Sequence, residues 1–378
     1  MTLAAQVWSA LGKVIDPEIR LPLTELDMLD QPAIDASGNV SQRVKLTVVG
    51  CPASDKIERD VRAAIESVEG VGEIQIQLDV MTPAERETLV AKLRGNKPAR
   101  VNPFDADSLT HVLLIGSGKG GVGKSSVTAN LAVELAARGH KVGLIDADIF
   151  GFSIPGQLGL DNSRPDGRPT RVGELMLPPV AHGVKVISIG MFLDANQPVA
   201  WRGPMLHRAI QQFLTDVFWG DLDYLLVDLP PGTGDVAISL GQLLPTAKSI
   251  VVTTPQAAAA DVAERSGAVG LQTGQAILGV IENMSWLDQP DGTRLHIFGE
   301  GGADTVAKRL AELSGSPVEV LGQIPISVAL REGSDAGSPV VLSKPADAAS
   351  AAIASIAEKL LRIPRGLAGK KLNVAVQS

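Results

Sequence analysis

From His111 onward the chain alternates short apolar runs with Gly-rich turns and longer helical stretches. The runs at residues 112–115, 142–145, 224–227, 250–252, 277–281 and 318–321 show little polar alternation. Strands of that kind are covered on both faces, so they predict a mainly parallel sheet with helices on each side. Residues 347–361 read as a closing helix with Asp347 as its N-cap. The first eighty residues follow other periods. Val7, Leu11, Val14 and Ile15 fall at helical spacing, as do Ile57, Val61, Ile65 and Val68. Residues 44–49 form a β-rich run, and Ile74, Ile76, Leu78 and Val80 alternate strictly, as in a strand with one buried face.

These patterns predict an α/β protein: a small α+β domain over residues 1–81, a connector over 82–108, a larger domain over 109–364 and a frayed tail over 365–378. The first domain is short for a large core, so it is expected to lean on the rest of the chain or on a partner. The connector opens with a helix start, Thr82 as N-cap and Pro83 at the first helical position. It continues into the basic, breaker-rich Arg94-Gly95-Asn96-Lys97-Pro98-Ala99-Arg100, which reads as a solvated linker.

Composition narrows the function. A net charge of −8 argues against a broad grip on nucleic acid or anionic lipid. No stretch approaches the ~20 apolar residues of a membrane span. The first residues lack a basic segment followed by an apolar one, so a cytoplasmic protein is expected. The single cysteine, Cys51, excludes an intrachain disulfide and a zinc site built from several cysteines of one chain.

Gly118-Lys119-Gly120-Gly121-Val122-Gly123-Lys124-Ser125 fits the phosphate-binding loop G-x-x-x-x-G-K-[ST], after a predicted strand and before a predicted helix. Glycines let successive backbone N–H groups turn toward phosphate oxygens, and the helix N-terminus adds partial positive charge. Lys124 is expected to reach the β- and γ-phosphates of ATP, and the Ser125 hydroxyl to bind Mg²⁺. Ser126 completes the nucleotide-binding run. Asp146 and Asp148 leave the second strand on the same side, where one can support the metal shell and the other orient a water. Residues 225–227 deliver Asp228 to a sheet edge, where it can hold a Mg²⁺-bound water, and Gly232 and Gly234 follow in a loop able to rearrange.

The extra lysine, Lys119, makes the loop resemble the deviant Walker A loop of the MinD, ParA and nitrogenase iron-protein superfamily. That resemblance implies a P-loop NTPase fold and a homodimer in which Lys119 crosses to the partner's nucleotide. It assigns the water-activating role to Asp148, makes Lys119, Lys124 and Asp148 the catalytic set, and implies that Asn283 and Pro325 flank the adenine.

A narrower resemblance follows. Trp201-Arg202-Gly203-Pro204-Met205, Gln211-Gln212-Phe213-Leu214 and Trp219-Gly220-Asp221-Leu222-Asp223-Tyr224 resemble the Mrp/ApbC family of ATP-dependent iron–sulfur cluster carriers. Ile15-Asp16-Pro17-Glu18-Ile19 and Thr47-Val48-Val49-Gly50-Cys51-Pro52 are similar to the metal–sulfur cluster assembly domain fused ahead of the ATPase in many members. The resemblance implies ATP hydrolysis, apoprotein clients and a cluster assembly scaffold as partners.

One segment departs from the family. Members carry Cys-Pro-x-Cys after the Asn-Met-Ser segment, whereas this chain has Gln289-Pro290-Asp291-Gly292. Neither Gln289 nor Gly292 supplies a thiolate, so the usual bridging cluster cannot form there. Cys51 is the one remaining thiol and a candidate cluster ligand, placed just before a predicted helix whose N-terminus should lower its pKa. The departure keeps two alternatives open, a MinD/ParA-like positioning ATPase and a cluster-free ATP-dependent adaptor. The ending Ala368-Gly369-Lys370-Lys371-Leu372-Asn373-Val374 is short and Gly-broken, unlike the amphipathic membrane helix that a MinD-like protein needs.

Overall fold

A computed structural model describes residues 2–95, 101–105, 107–149, 151–161, 163–192, 203–232 and 234–363. The basic linker residues Lys97 and Arg100, the family residues Trp201 and Arg202, and the tail 365–378 lie outside the described residues. In chain order come α1 (Leu3–Leu11), β1 (Ala33–Ile34), β2 (Val40–Leu46), α2 (Ser54–Glu66), β3 (Ile74–Val80) and α3 (Pro83–Arg94). Next are β4 (His111–Ser117), α4 (Lys124–Ala137), β5 (Val142–Asp146), α5 (Ile154–Gln157), β6 (Thr170–Val172), β7 (Leu175–Leu177), β8 (Val180–Ala181), β9 (Val184–Ser188) and α6 (Gly203–Thr215). The rest are β10 (Tyr224–Asp228), α7 (Asp235–Leu243), β11 (Lys248–Thr253), α8 (Ala257–Gln272), β12 (Ala276–Asn283), β13 (Leu287–Asp288), β14 (Arg294–Leu295), α9 (Gly302–Ser314), β15 (Glu319–Ile324), α10 (Val328–Ala336), α11 (Val340–Ser343) and α12 (Ala348–Leu361).

The chain divides into two compact units. The second holds an eight-stranded sheet in the order β15-β12-β11-β4-β10-β5-β9-β8. Each neighbouring pair from β15 to β9 is parallel. Side chains alternate between two helical layers, as the pleat requires. Ile250, Val252 and Ile281 join a core with α4 and α12, while Val251 and Val280 join one with α8 and α9. The predicted runs are thus strands of this sheet, covered on both faces in its interior, while the edge strand β15 exposes Glu319 and Gln323. The strand β9 escaped the sequence reading because Lys185 interrupts its apolar pattern, yet all five of its residues are buried.

The first unit contains residues 1–101 together with residues 161–180 and 215–220. Its sheet runs β1-β2-β3, with β2 and β3 parallel. A cut at one connector does not describe this packing. The connector helix α3 buries Leu89, and Val172, Leu175 and Leu177 of the β6–β7 hairpin are buried in the same core as Val7, Val44 and Ile57. Thr82 and Glu85 close a capping box at the start of α3, as the helix-start signal predicted. The alternation of β3 is real, but Leu78 and Val80 remain exposed, so the expected buried face is only half covered.

Candidate functional site

Three parallel strands end at one level. Asp228 of β10 is in register with Ile115 of β4 and with Asp146 of β5, and Asp146 with Ser188 of β9. Just beyond, the loop between β4 and α4 folds back over the sheet edge. Two of its glycines are required by space. A Cβ on Gly118 would overlap the backbone of α8 at Val262. Gly123 has φ +80°, and a Cβ there would collide with the Asn283 amide. Lys124 then opens α4, whose N-terminal amides face the loop.

Beneath the loop, Lys124 Nζ donates to Asp228 Oδ2 at 2.6 Å, with the two side chains 6% and 0% exposed. Ser125 Oγ donates to the same oxygen at 2.6 Å, and Thr128 Oγ1, one turn along α4, donates to Asp228 Oδ1 at 2.8 Å. Asp228 is therefore gripped on both oxygens by a lysine and two hydroxyls. Asp146 sits beside it and accepts from Ser188 Oγ at 3.1 Å and from the amides of Asp148, Ser153 and Ile154 at 3.2 Å. Burial, and then the charge of Asp228, push the Asp146 carboxyl up to about 7.

A cavity of about 720 Å³ opens over this floor, lined by residues 119–126 and by Asp148, Gln157, Pro230 and Pro231. Asp148 accepts from the Gly151 amide at 3.0 Å. Gly118, Asp146 and Asp228 are not on its wall but support it from below. Lys119 lines the cavity and donates to Gln256 Oε1 at 3.2 Å. Asn283 is placed otherwise than the sequence led one to expect. It is 3% exposed, and its amide donates to the Val122 carbonyl at 2.9 Å, bracing the loop from behind. Pro325 is buried as well, and neither lines the cavity.

A match to a family model decides the family. Residues 108–361 match ParA, the NUBPL iron-transfer P-loop NTPase, and residues 4–76 match an iron–sulfur cluster assembly protein. The chain belongs to the iron-transfer P-loop NTPase family. Relatives of this NTPase include the iron–sulfur cluster carrier proteins of Mycobacterium tuberculosis, 52% identical over 98% of this chain and 97% of that protein, and of Synechocystis, 39% identical over 94% and 96%. Among solved structures, a nucleotide-binding protein from Archaeoglobus fulgidus in complex with ADP is similar with a TM-score of 0.51 and 39% identity, over 60% of this chain and 86% of that one.

Away from the nucleotide cavity, the NTPase lacks the cysteines of the wider family pattern. Residues 289–292 form the turn of the β13–β14 hairpin, closed by the Gln289 amide donating to Thr293 O at 2.8 Å. Gly292 adopts φ +82° there, a glycine role with no thiolate to offer. Cys51 corrects the expectation of a lowered pKa. It lies in the core of the first unit, 4% exposed, and burial pushes its thiol up to about 11. The Ala53 amide, at the start of α2, opposes the rise, while the Glu18 and Asp16 carboxylates add to it. Desolvation outweighs the helix N-terminus because the thiolate would have to be held in apolar packing. Glu18 itself is pushed up to about 7 by burial, against a hydrogen bond from Thr170 Oγ1 at 2.9 Å. Among the described residues, no group of three or more His, Cys, Asp or Glu could hold a metal ion. No helix among them is long and apolar enough to cross a membrane.

The sequence alone pointed to neither Thr128 nor Gln256. Thr128 was within reach of a sequence argument, since it stands four residues after Lys124 and so on the same helical face. Gln256 had no local signal.

Proposed function

We propose that this chain is an ATP-hydrolysing iron–sulfur cluster carrier that acts as a nucleotide-clasping homodimer and delivers clusters to apoprotein clients from an assembly scaffold in the cytoplasm. The observation that carries the nucleotide half is the convergence of Lys124 and Ser125 on one oxygen of Asp228 under a phosphate-sized loop. The cargo half rests on similarity to named carrier proteins over nearly the whole chain.

The loop amides and the start of α4 bind the phosphates. Lys124, balanced by Asp228 in the free chain, transfers its charge to the β- and γ-phosphates when ATP enters. Ser125 and Asp228 are hard oxygen donors within hydrogen-bond distance of each other, a set that fits Mg²⁺. Once bound, that ion would neutralise phosphate charge. Asp148, on the cavity wall, orients a water toward the γ-phosphorus, and the bond to the β–γ bridging oxygen breaks to leave ADP and phosphate. Lys119 rests on Gln256 in the single chain and leaves it for the partner's phosphates on pairing.

Phosphate release and light scattering test the first half. Wild type is expected to turn over Mg·ATP and to pair in its presence. Lys124→Ala should abolish turnover, and Lys119→Ala should leave a monomer. Pairing unaffected by Lys119→Ala refutes the clasp. Iron and acid-labile sulfide content after anaerobic purification, followed by ATP-dependent transfer to an apoprotein, tests the second half.

A second reading, a cluster-free adaptor that recruits clients in an ATP-dependent way, is favoured by the cysteine-free β13–β14 turn together with the buried, protonated Cys51. It predicts no bound iron or sulfide in a protein that still hydrolyses ATP.

A further inference from the structure

The first unit carries a groove of about 690 Å³ that the nucleotide chemistry does not use. One wall is α3, where Arg86, Val90 and Arg94 recur every fourth residue and so share a face. The opposite wall is the β6–β7 hairpin with Arg171 and Glu174, and Val48 contributes to the apolar lining. Among the described residues, the guanidinium groups of Arg86, Arg94 and Arg171 make no hydrogen bond or ion pair. The Arg94 Nη2 atom is shut off from solvent and has no partner among the described residues. A buried donor of this kind, in a cation, calls for an acceptor from outside the chain. Three cations against Glu87 and Glu174 leave the groove basic in a protein whose net charge is −8.

The geometry points to a binding site for a short acidic peptide segment of a partner protein, with carboxylates on the arginines and an apolar side chain on Val48 and Val90. Spacing selects a peptide over an inorganic anion. Arg86 and Arg94 stand eight residues apart on one helix, about 12 Å along its axis at 1.5 Å per residue. A phosphate meets only one of them. In an extended peptide, carboxylates four residues apart lie about 13 Å apart and meet both. Of the chain's own segments outside the described residues, 96–100 and 364–378 have only basic charged side chains and 193–202 has a single carboxylate, Asp194, beside Arg202, so none offers two carboxylates four residues apart. This site is independent of the nucleotide reading and survives its failure.

The test is fluorescence anisotropy of the full-length protein with a labelled Gly-Glu-Leu-Val-Leu-Glu-Gly peptide. Wild type should bind it, with affinity falling as salt rises. Arg94→Gln and Arg86→Gln should each weaken binding at least about tenfold, the loss of one charge-assisted pair. A peptide with Gln in place of both Glu should not bind, and inorganic phosphate at matched ionic strength should not displace the acidic one. Should Arg94→Gln fail to fold by circular dichroism, Arg171→Gln on the facing wall reads the same interaction. No binding by wild type, equal binding by the Gln peptide, displacement by phosphate, or unchanged affinity in the folded variants overturns the proposal.

Discussion

Replacing Thr128 with valine removes one hydroxyl and almost no volume, which makes it a clean probe of how Asp228 is held. Thr128 Oγ1 lies 2.8 Å from Asp228 Oδ1 and 2.8 Å from the Lys124 carbonyl, and both Thr128 and Asp228 are fully buried. Water therefore cannot replace the lost donor. A hydrogen bond to a charged group contributes about 1.5–3 kcal/mol, and the isosteric change adds little cavity cost. Asp228 keeps Lys124 and Ser125 on its other oxygen, which places the expected loss near the middle, about 2 kcal/mol. In a unit of this size that corresponds to a calorimetric midpoint lowered by roughly 4–8 °C. Function should respond separately. With Oδ1 released, Asp228 is held through Oδ2 alone and its carboxylate can turn about that oxygen, so the gain in ADP affinity on adding Mg²⁺, measured by titration calorimetry, should shrink. Thr128→Ser restores the hydroxyl and should recover both readouts. A Thr128→Val protein with the wild-type midpoint and the wild-type Mg²⁺ dependence would refute the reasoning.

Other outcomes follow from the first unit. Glu18 has its carboxyl raised from 4.5 to about 7, so the folded state keeps its proton longer than the unfolded one, and stability present below pH 4.5 is lost as pH rises toward 7. Glu18→Gln can still bond to Thr170 and has no proton to lose. Its advantage should be absent below pH 4.5 and reach about 3 kcal/mol above pH 7 in urea unfolding; a constant difference across pH contradicts the assignment. Cys51, with its thiol raised to about 11, should react with a disulfide reagent at pH 8 on the order of a hundredfold more slowly than an exposed cysteine, and at the ordinary rate once unfolded. Rapid labelling of the native protein would show that the thiol is open to solvent.

Much of the second unit is legible locally. An apolar run between turns encodes a doubly covered strand whatever lies beside it, and the glycine pattern of residues 118–125 encodes a loop that only those backbones can adopt. The capping signals at Thr82 and Asp347 were equally readable, because a cap is settled within four residues. Lys185 marks the limit of pattern reading, since a lysine that is buried in the fold scores as polar in the sequence.

Tertiary structure decided what depends on register and on desolvation. Lys124, Thr128 and Asp228 meet because β10 is paired with β4 and β5, a relation between segments a hundred residues apart. The same long-range packing turned Asn283 toward the Val122 carbonyl rather than the cavity, and set Lys119 on Gln256. It also reversed the expected chemistry of Cys51. The position before a helix was visible in the sequence and favours a thiolate, but the apolar core that closes over the sulfur is assembled from α1, β2, α2 and the β6–β7 hairpin. Sequence alone determined which backbone shapes and reactive groups this protein contains. Which groups meet and which are kept from water followed only from the packing, because hydrogen bonds and desolvation act between atoms that the chain order does not bring together.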